Sequence, residues 1–308
     1  MTGEDTFCEY YSDWLSIYKE GAVRSTTMSK YRMSEQWLYR LIPDLKLKDM
    51  TKSEYQKMIN EYAKCHEKQT TMDFHHQVKA AVLDAVDEGL IPMDITRRVV
   101  IKGTKSRAKK KQYLSKVEVQ KLVEDLNLTD SINFDWLILL IIKTGLRFSE
   151  AVAITPADFD YIHQTLSVNK TLDYKNGVNF EECKNASSKR VIKLDYQICM
   201  QFFQLTHELP YDKPIFLKGD GRKIYNATVN DLLEQHCRNA QIPVVSIHGL
   251  RHTHASVLLC GGVSILSVSR RLGHSSVDIT QKVYLHIIRE LEAADTDKIM
   301  KELTSIIV

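Results

Sequence analysis

Between residues 102 and 116 the chain carries seven lysines and arginines and not one acid, and charges of one sign at that density cannot be buried in a common core. The segment, Lys-Gly-Thr-Lys-Ser-Arg-Ala-Lys-Lys-Lys-Gln-Tyr-Leu-Ser-Lys, repels itself into an extended form and so divides the chain into two separately folding parts. Residues 1–101 hold 14 Lys and Arg against 16 Asp and Glu, and residues 117–308 hold 21 against 23. All the excess positive charge of a chain with net charge +3 therefore sits in the connector. Such a connector is either simply solvated or a strap across a polyanion, because each Lys or Arg near a phosphate releases condensed counterions.

Both flanking parts are long enough to bury a core, since 308 residues at 44% apolar content fit two ordinary domains. The longest unbroken apolar run, Trp136 to Ile142, is seven residues, against about 20 for a bilayer span. No membrane association is expected. The N-terminus, Met-Thr-Gly-Glu-Asp-Thr-Phe, has acids where a secretory signal needs a basic start, which predicts a cytoplasmic protein. The six cysteines include no C-x-x-C pair, so reduced thiols are expected rather than zinc ligands or a disulfide framework.

Before the connector, Phe7, Tyr10, Tyr11, Trp14, Leu15 and Tyr18 recur at helical spacing, as do Met28, Tyr31, Trp37, Leu38 and Leu41. Thr26 and Thr27 offer N-caps for the second run, and Thr51 with Glu54 fits a capping box for a third. A fourth carries Phe74, Val78, Ala81, Val82, Ala85 and Val86 and ends at Gly89. A domain of about four helices follows, its aromatic residues serving as core and His75-His76 as ordinary helix residues. After the connector, Ser115 with Glu118 opens a helix, and Phe134 to Ile142 reads as a second, buried on every side. From Phe159 to Leu194 alternation replaces helical spacing, with Asn176-Gly177 as a turn signal. The expected fold is mainly α with a small antiparallel β-sheet in the second domain, helical again from about Asp195.

Three clusters carry reactive side chains: Thr144-Gly145-Leu146-Arg147-Phe148-Ser149-Glu150, His248-Gly249-Leu250-Arg251-His252-Thr253-His254, and Leu272-Gly273-His274 followed by Tyr284. His248 and Arg251 are three apart, so on a helix they share a face. Two arginines, two histidines and a tyrosine suit phosphodiester chemistry that uses no metal. Guanidinium forks match the negative charge on non-bridging oxygens bidentately, and a phenol becomes a nucleophile where cations or a base take up its proton. His248, His252 and His254 also raise a zinc reading, but residues two apart on a helix diverge and no fourth ligand stands nearby. His252 and His254 are expected to be buried and hydrogen-bonded.

The stretches Thr144–Glu150, Lys184–Leu194, His248–Leu259 and Leu272–His286 resemble, in order and spacing, the boxes of the tyrosine recombinases, most closely the integrases of phages and mobile elements. By that resemblance Arg147 and Arg251 clamp the scissile phosphate, Glu150 supports the site, and His248 assists proton transfer. His274 hydrogen-bonds the phosphate, and Tyr284 is the nucleophile. The family's lysine, general acid toward the leaving 5′ oxygen, falls on Lys184, with Lys189 as second candidate. Residues 1–101 match the core-binding domain more loosely, residues 102–116 a basic linker, and residues 117–308 the catalytic domain. Together they imply a two-domain clamp on DNA, with Lys102, Lys105, Arg107, Lys109, Lys110 and Lys111 crossing the backbone.

The resemblance further implies a recombinase without cofactor or metal that acts on double-stranded attachment sites. It implies a homotetramer in the synaptic complex, with DNA-bending or directionality factors as accessory partners and the nucleoid as its place in the cytoplasm. The apolar positions Leu291, Ile299, Met300, Leu303, Ile306 and Ile307 suit either docking of the tail on a neighbouring protomer or folding back on its own domain. Because the helical pattern begins by Phe7, the chain is either an arm-less recombinase or a shortened one. A chromosome-dimer resolvase of the same family and a catalytically inactive DNA-binding regulator are the rival readings.

Overall fold

Thr6 and Glu9 close a reciprocal capping box that starts the first helix, α1 (Phe7–Trp14), each satisfying a backbone N–H that the helix leaves open. The structure, a computed structural model, describes residues 1–105, 113–174, 179–183, 185–217, 224–284 and 304, and the chain divides into units at residues 1–109 and 110–308. In the first unit α1 runs into a π-helical turn, Leu15–Lys19, followed by α2 (Ser25–Leu41), α3 (Lys52–Ala63) and α4 (Lys68–Asp87). Their apolar stripes meet in one core around Phe7, Tyr11, Trp14, Leu38, Tyr55 and Phe74. Thr51 caps α3 by accepting from the Glu54 N–H. Thr26 and Thr27 do not cap α2: Arg24 is the N-cap, and both threonines already lie inside the helix, because the backbone turns helical directly after the extended Arg24. The start of the basic segment is tied to this unit. The Thr104 N–H donates to the His66 carbonyl at 2.8 Å, and a Cβ on Gly103 would lie 2.2 Å from the Lys68 nitrogen, so only glycine lets the two backbones approach.

The second unit opens at α5 (Lys116–Asp125), started by the Ser115–Glu118 capping box. Next comes α6 (Phe134–Thr144), capped by Asn133 and buried at every position from Asp135 to Ile142. This helix is the centre of the core and packs against α10 (Ile247–Cys260). Between them lie α7 (Phe148–Ala151), β1 (Phe159–Asp160), β2 (Thr165–Val168), β3 (Lys170–Asp173), β4 (Asn179–Glu182), β5 (Arg190–Lys193), α8 (Tyr196–Thr206) and α9 (Asn226–Asn239). After α10 come α11 (Ile265–Leu272) and a helical segment at 277–284. The alternating stretch forms two small antiparallel sheets among the described residues, not one. β2 pairs with β1 and β5, while β3 pairs with β4, and the change of partner falls at residue 169, between two strands that the sequence pattern runs together. The expected Asn176-Gly177 turn lies outside the described residues. His236 of α9 joins three helices, with Nδ1 2.7 Å from Asp125 and Nε2 3.0 Å from Asp135.

The end of α6 sets up everything after it. Gly145 takes φ +70°, its N–H donating to the Ile141 carbonyl at 2.8 Å, and a Cβ there would lie 2.7 Å from the His254 ring. Left-handed backbone and close packing both demand glycine. Gly145→Ala should therefore lower stability by about 2 kcal/mol through strain and displacement of His254, read by chemical denaturation. A loss below about 0.5 kcal/mol would mean that the turn is not constrained as described.

Candidate active site

Directly after that turn the chain places Arg147 at the N-cap of the short helix α7. Its backbone N–H donates to Glu150 Oε2 at 2.9 Å and its Nη1 donates to Glu150 Oε1 at 2.7 Å. Glu150 is 1% exposed, and a carboxylate so buried needs cations. The second comes from β5: Arg190 donates from Nη2 to Oε2 at 2.9 Å and from Nη1 to Oε1 at 3.2 Å. Burial alone would raise the Glu150 pKa, but the hydrogen bond and charge of Arg190, with the charge of Arg147, hold it below its ordinary value. Arg190 is pinned in turn, with Nε donating to the Arg271 carbonyl at 2.7 Å.

Arg251, on α10, is 3% exposed; it donates to the Gly145 carbonyl at 2.6 Å and to the Leu272 carbonyl at 2.7 Å. Arg147 reaches the next carbonyl, that of Gly273, at 3.3 Å. One stretch of backbone, 272–273, is thus gripped by both arginines. The left-handed turn at Gly273 (φ +69°) holds the stretch in place, and a Cβ there would lie 3.0 Å from both the Arg190 guanidinium and the Ser187 carbonyl. Desolvation, then the neighbouring Arg147, lowers the Arg251 pKa to about 9, so the group stays mostly cationic at neutral pH.

Around these cations the histidines are held neutral. Desolvation, with help from Arg251 and Arg147, lowers His248 and takes His274 to about 4. His274 Nδ1 lies 2.7 Å from Thr280 Oγ1, which fixes its ring. His252, half-buried one turn along α10 from His248, stands with its ring perpendicular to that of His248 at 4.8 Å between centroids. Its Nδ1 is 2.8 Å from the Tyr284 hydroxyl. Tyr284 is 2% exposed, packed with Ala255, Leu259, Val268 and Leu272, and burial raises its pKa against the opposing charge of Arg251. His254 uses both ring nitrogens, donating from Nδ1 to the Ile142 carbonyl at 2.8 Å and accepting from Arg271 Nε at 3.0 Å. Neither lone pair remains for a metal.

Of the residues singled out in the sequence, Arg147, Glu150, His248, Arg251, His274 and Tyr284 fall in this one region. Lys184, Arg107, Lys109, Lys110, Lys111 and the tail beyond residue 284, except Thr304, lie outside the described residues. Lys189 is exposed, its Nζ 3.8 Å from Glu182, and Lys102 and Lys105 are exposed at the end of the first unit. Sequence reasoning missed Arg190 and Arg271. Their partners are backbone carbonyls, the His254 ring and, for Arg190, a carboxylate 40 residues away, and for Arg190 the local hint is a basic residue in a strand that otherwise reads as a solvated edge.

With this geometry in view, the sequence profile of the Phage integrase family matches residues 112–290. A tyrosine recombinase XerC of Bifidobacterium longum is 27% identical over 148 residues, 48% of this chain and 41% of that protein. The transposase of transposon Tn916 from Enterococcus faecalis is 22% identical over 323 residues, covering 96% and 78%. The chain spans less than half the length of the XerC protein it matches. Among solved structures, the Tn1549 transposon integrase in complex with transposon right end DNA gives a TM-score of 0.76 at 18% identity, covering 96% of this chain and 99% of that one. A lambda integrase tetramer bound to a Holliday junction gives 0.67 at 16%, covering 89% and 79%. At these identities the likeness is one of fold. Among the described residues no helix is long and apolar enough to cross a membrane.

The Glu150 contacts generate a two-part expectation. Glu150→Gln keeps the side chain's shape but leaves buried Arg190 without its counter-charge, which should cost about 3 kcal/mol at pH 7. Because the folded-state pKa is depressed, the carboxylate's contribution is complete above its ordinary value of 4.5 and is lost as pH falls through the folded value. The stability gap between wild type and variant should narrow below pH 4.5 in denaturant titrations; a gap that stays constant would contradict the ion-pair account.

Proposed function

The chain belongs to the phage integrase family, and we propose that it is a site-specific DNA recombinase that cuts and rejoins duplex DNA through a 3′-phosphotyrosine intermediate. Its use would be to integrate or excise a phage or mobile element. The observation that carries this reading is the meeting of Arg147 and Arg251 on the 272–273 backbone, beside a tyrosine hydrogen-bonded from the same helix as Arg251. A phosphodiester bound there would meet two guanidinium forks, which suit the charge that spreads over its non-bridging oxygens during attack. Tyr284 Oη forms the bond to phosphorus, and the bond to the 5′ oxygen breaks. Lys184, with Lys189 as second candidate, supplies the proton to that oxygen, His274 donates to the phosphate, and His248 assists proton transfer. The free 5′ hydroxyl of a partner strand then reverses the chemistry, so bond energy is conserved and neither ATP nor a metal is needed for the exchange.

In this proposal residues 1–101 are the core-binding domain, residues 102–116 the linker and residues 117–308 the catalytic domain, the two domains closing on DNA within a synaptic homotetramer. The basic linker adds affinity that is largely independent of sequence. Accessory bending or directionality factors belong to the same proposal, as does a place on the nucleoid. Likeness to XerC favours chromosome-dimer resolution as a second reading; dependence on a second, related recombinase rather than on bending factors would select it.

A nicked suicide duplex carrying the repeats that flank the coding region in its genome should trap a covalent protein–DNA adduct. Tyr284→Phe should bind that duplex with unchanged affinity and form no adduct, as read on denaturing gels. An adduct from the variant would assign the nucleophile elsewhere, and no adduct from either protein would favour an inactive regulator. Replacing Lys109, Lys110 and Lys111 by alanine should reduce the slope of log affinity against log salt by up to about 0.9 per lost phosphate contact. An unchanged slope would remove the strap from the DNA interface.

A further inference from the structure

The recombinase reading leaves one question open in the geometry, namely where the phenol's proton goes. The hydroxyl of Tyr284 is almost fully enclosed, and its hydrogen-bond partner among the described residues is Nδ1 of His252 at 2.8 Å. His248, the histidine to which the family resemblance gives proton transfer, makes no hydrogen bond to the phenol among the described residues; it meets His252 in an edge-to-face ring contact.

We infer that His252 is a catalytic residue in its own right, the group that accepts the Tyr284 proton through Nδ1 as the phenol oxygen attacks phosphorus. The inference rests on the recombinase reading and adds a residue to it. For Nδ1 to accept, the neutral ring carries its proton on Nε2. In the forward step the O–H bond of Tyr284 breaks, the proton passes to Nδ1, and Oη bonds to phosphorus. The leaving 5′ oxygen takes its proton from the lysine, a separate donor. In the reverse step the tyrosine oxygen leaves phosphorus and recovers its proton from His252. No further reactant is required.

The surroundings suit such an acceptor. Desolvation, then the charges of His248 and Arg251, lower the His252 pKa to about 4, so the ring is in its accepting form at neutral pH but is a weak base while the site is empty. A phosphate bound by Arg251 places an anion next to the cation that discourages protonation, and the ring's basicity rises when substrate arrives. Base and nucleophile are thereby matched in the complex with DNA, where proton transfer is wanted.

The test is single-turnover adduct formation on the suicide duplex by the full-length protein, with Tyr284→Phe as the zero. His252→Ala should slow cleavage by about 100-fold or more, the lower end of general-base contributions, with DNA affinity unchanged. His252→Asn places a carbonyl oxygen near the position of Nδ1, so it keeps the hydrogen bond but cannot take the proton; it should be as slow as the alanine variant. Free imidazole should restore part of the rate to His252→Ala. A 5′-bridging phosphorothiolate, whose leaving group needs no proton, should leave both variants slow. A near-wild-type rate for His252→Asn would reduce His252 to a positioning residue and overturn the assignment. Recovery of His252→Ala on the phosphorothiolate would place it on the leaving-group side and also overturn it. Should the alanine variant fail to fold, the asparagine variant decides. Wild-type protein that forms no adduct would instead refute the recombinase reading, a result distinct from normal cleavage by the His252 variants.

Discussion

Burial of one carboxylate between two guanidinium groups organises the second unit of the chain. Glu150 is 1% exposed, and removing a carboxylate from water costs several kcal/mol unless cations replace the lost hydration. Arg147 and Arg190 do so, one from the N-cap of α7 and one from β5, and each also reaches a backbone carbonyl at the end of α11, that of Gly273 for Arg147 and that of Arg271 for Arg190. Arg251 grips that backbone from α10. Three remote parts of the chain are thereby fixed against one stretch, and Arg147 and Arg251, the pair proposed to clamp the phosphate, are held by contacts within the protein. Pre-set cations of this kind need little reorganisation when charge develops on a bound phosphate.

The same arrangement sets the protonation states around it. Desolvation first, and then nearby positive charge, that of Arg251 included, keeps His248, His252 and His274 below their ordinary pKa values. Tyr284 meets the opposite condition, since burial raises its pKa while Arg251 draws it down. In the proposed reaction, the enclosed phenol beside a neutral imidazole is held in reserve until the phosphate arrives. In that proposal substrate charge is the trigger, because it offsets the part of the shift that Arg251 adds to desolvation.

Much of this was legible in the sequence where the signal is local. The unbroken apolar run 136–142 announces α6, Ser115 with Glu118 announces the start of α5, and Gly145 announces the turn that presents Arg147. Six positions singled out by spacing and resemblance meet in one region of the structure, each lying within a short, recognisable box. What could not be read depends on contacts between distant residues. Arg190 sits in a strand whose alternation looks like any solvated edge, and its value comes from a carboxylate 40 residues earlier. His252 could be expected to be hydrogen-bonded, but its partner, 32 residues on, could not be named. The division into two sheets was hidden for a similar reason, since β2 and β3 follow one another with a single residue between them and differ only in the strand each pairs with.

In the proposed recombinase Arg147 and Arg251 act by neutralising the negative charge of one phosphodiester. The most direct measurement compares cleavage of a normal duplex with cleavage of one bearing an uncharged methylphosphonate at the scissile position, for wild type and for Arg147→Ala. With the charge removed from the DNA, the alanine variant should recover most of the rate it loses on the normal phosphate. An equal deficit on both duplexes would contradict the account, because the arginine would then be serving something other than that charge.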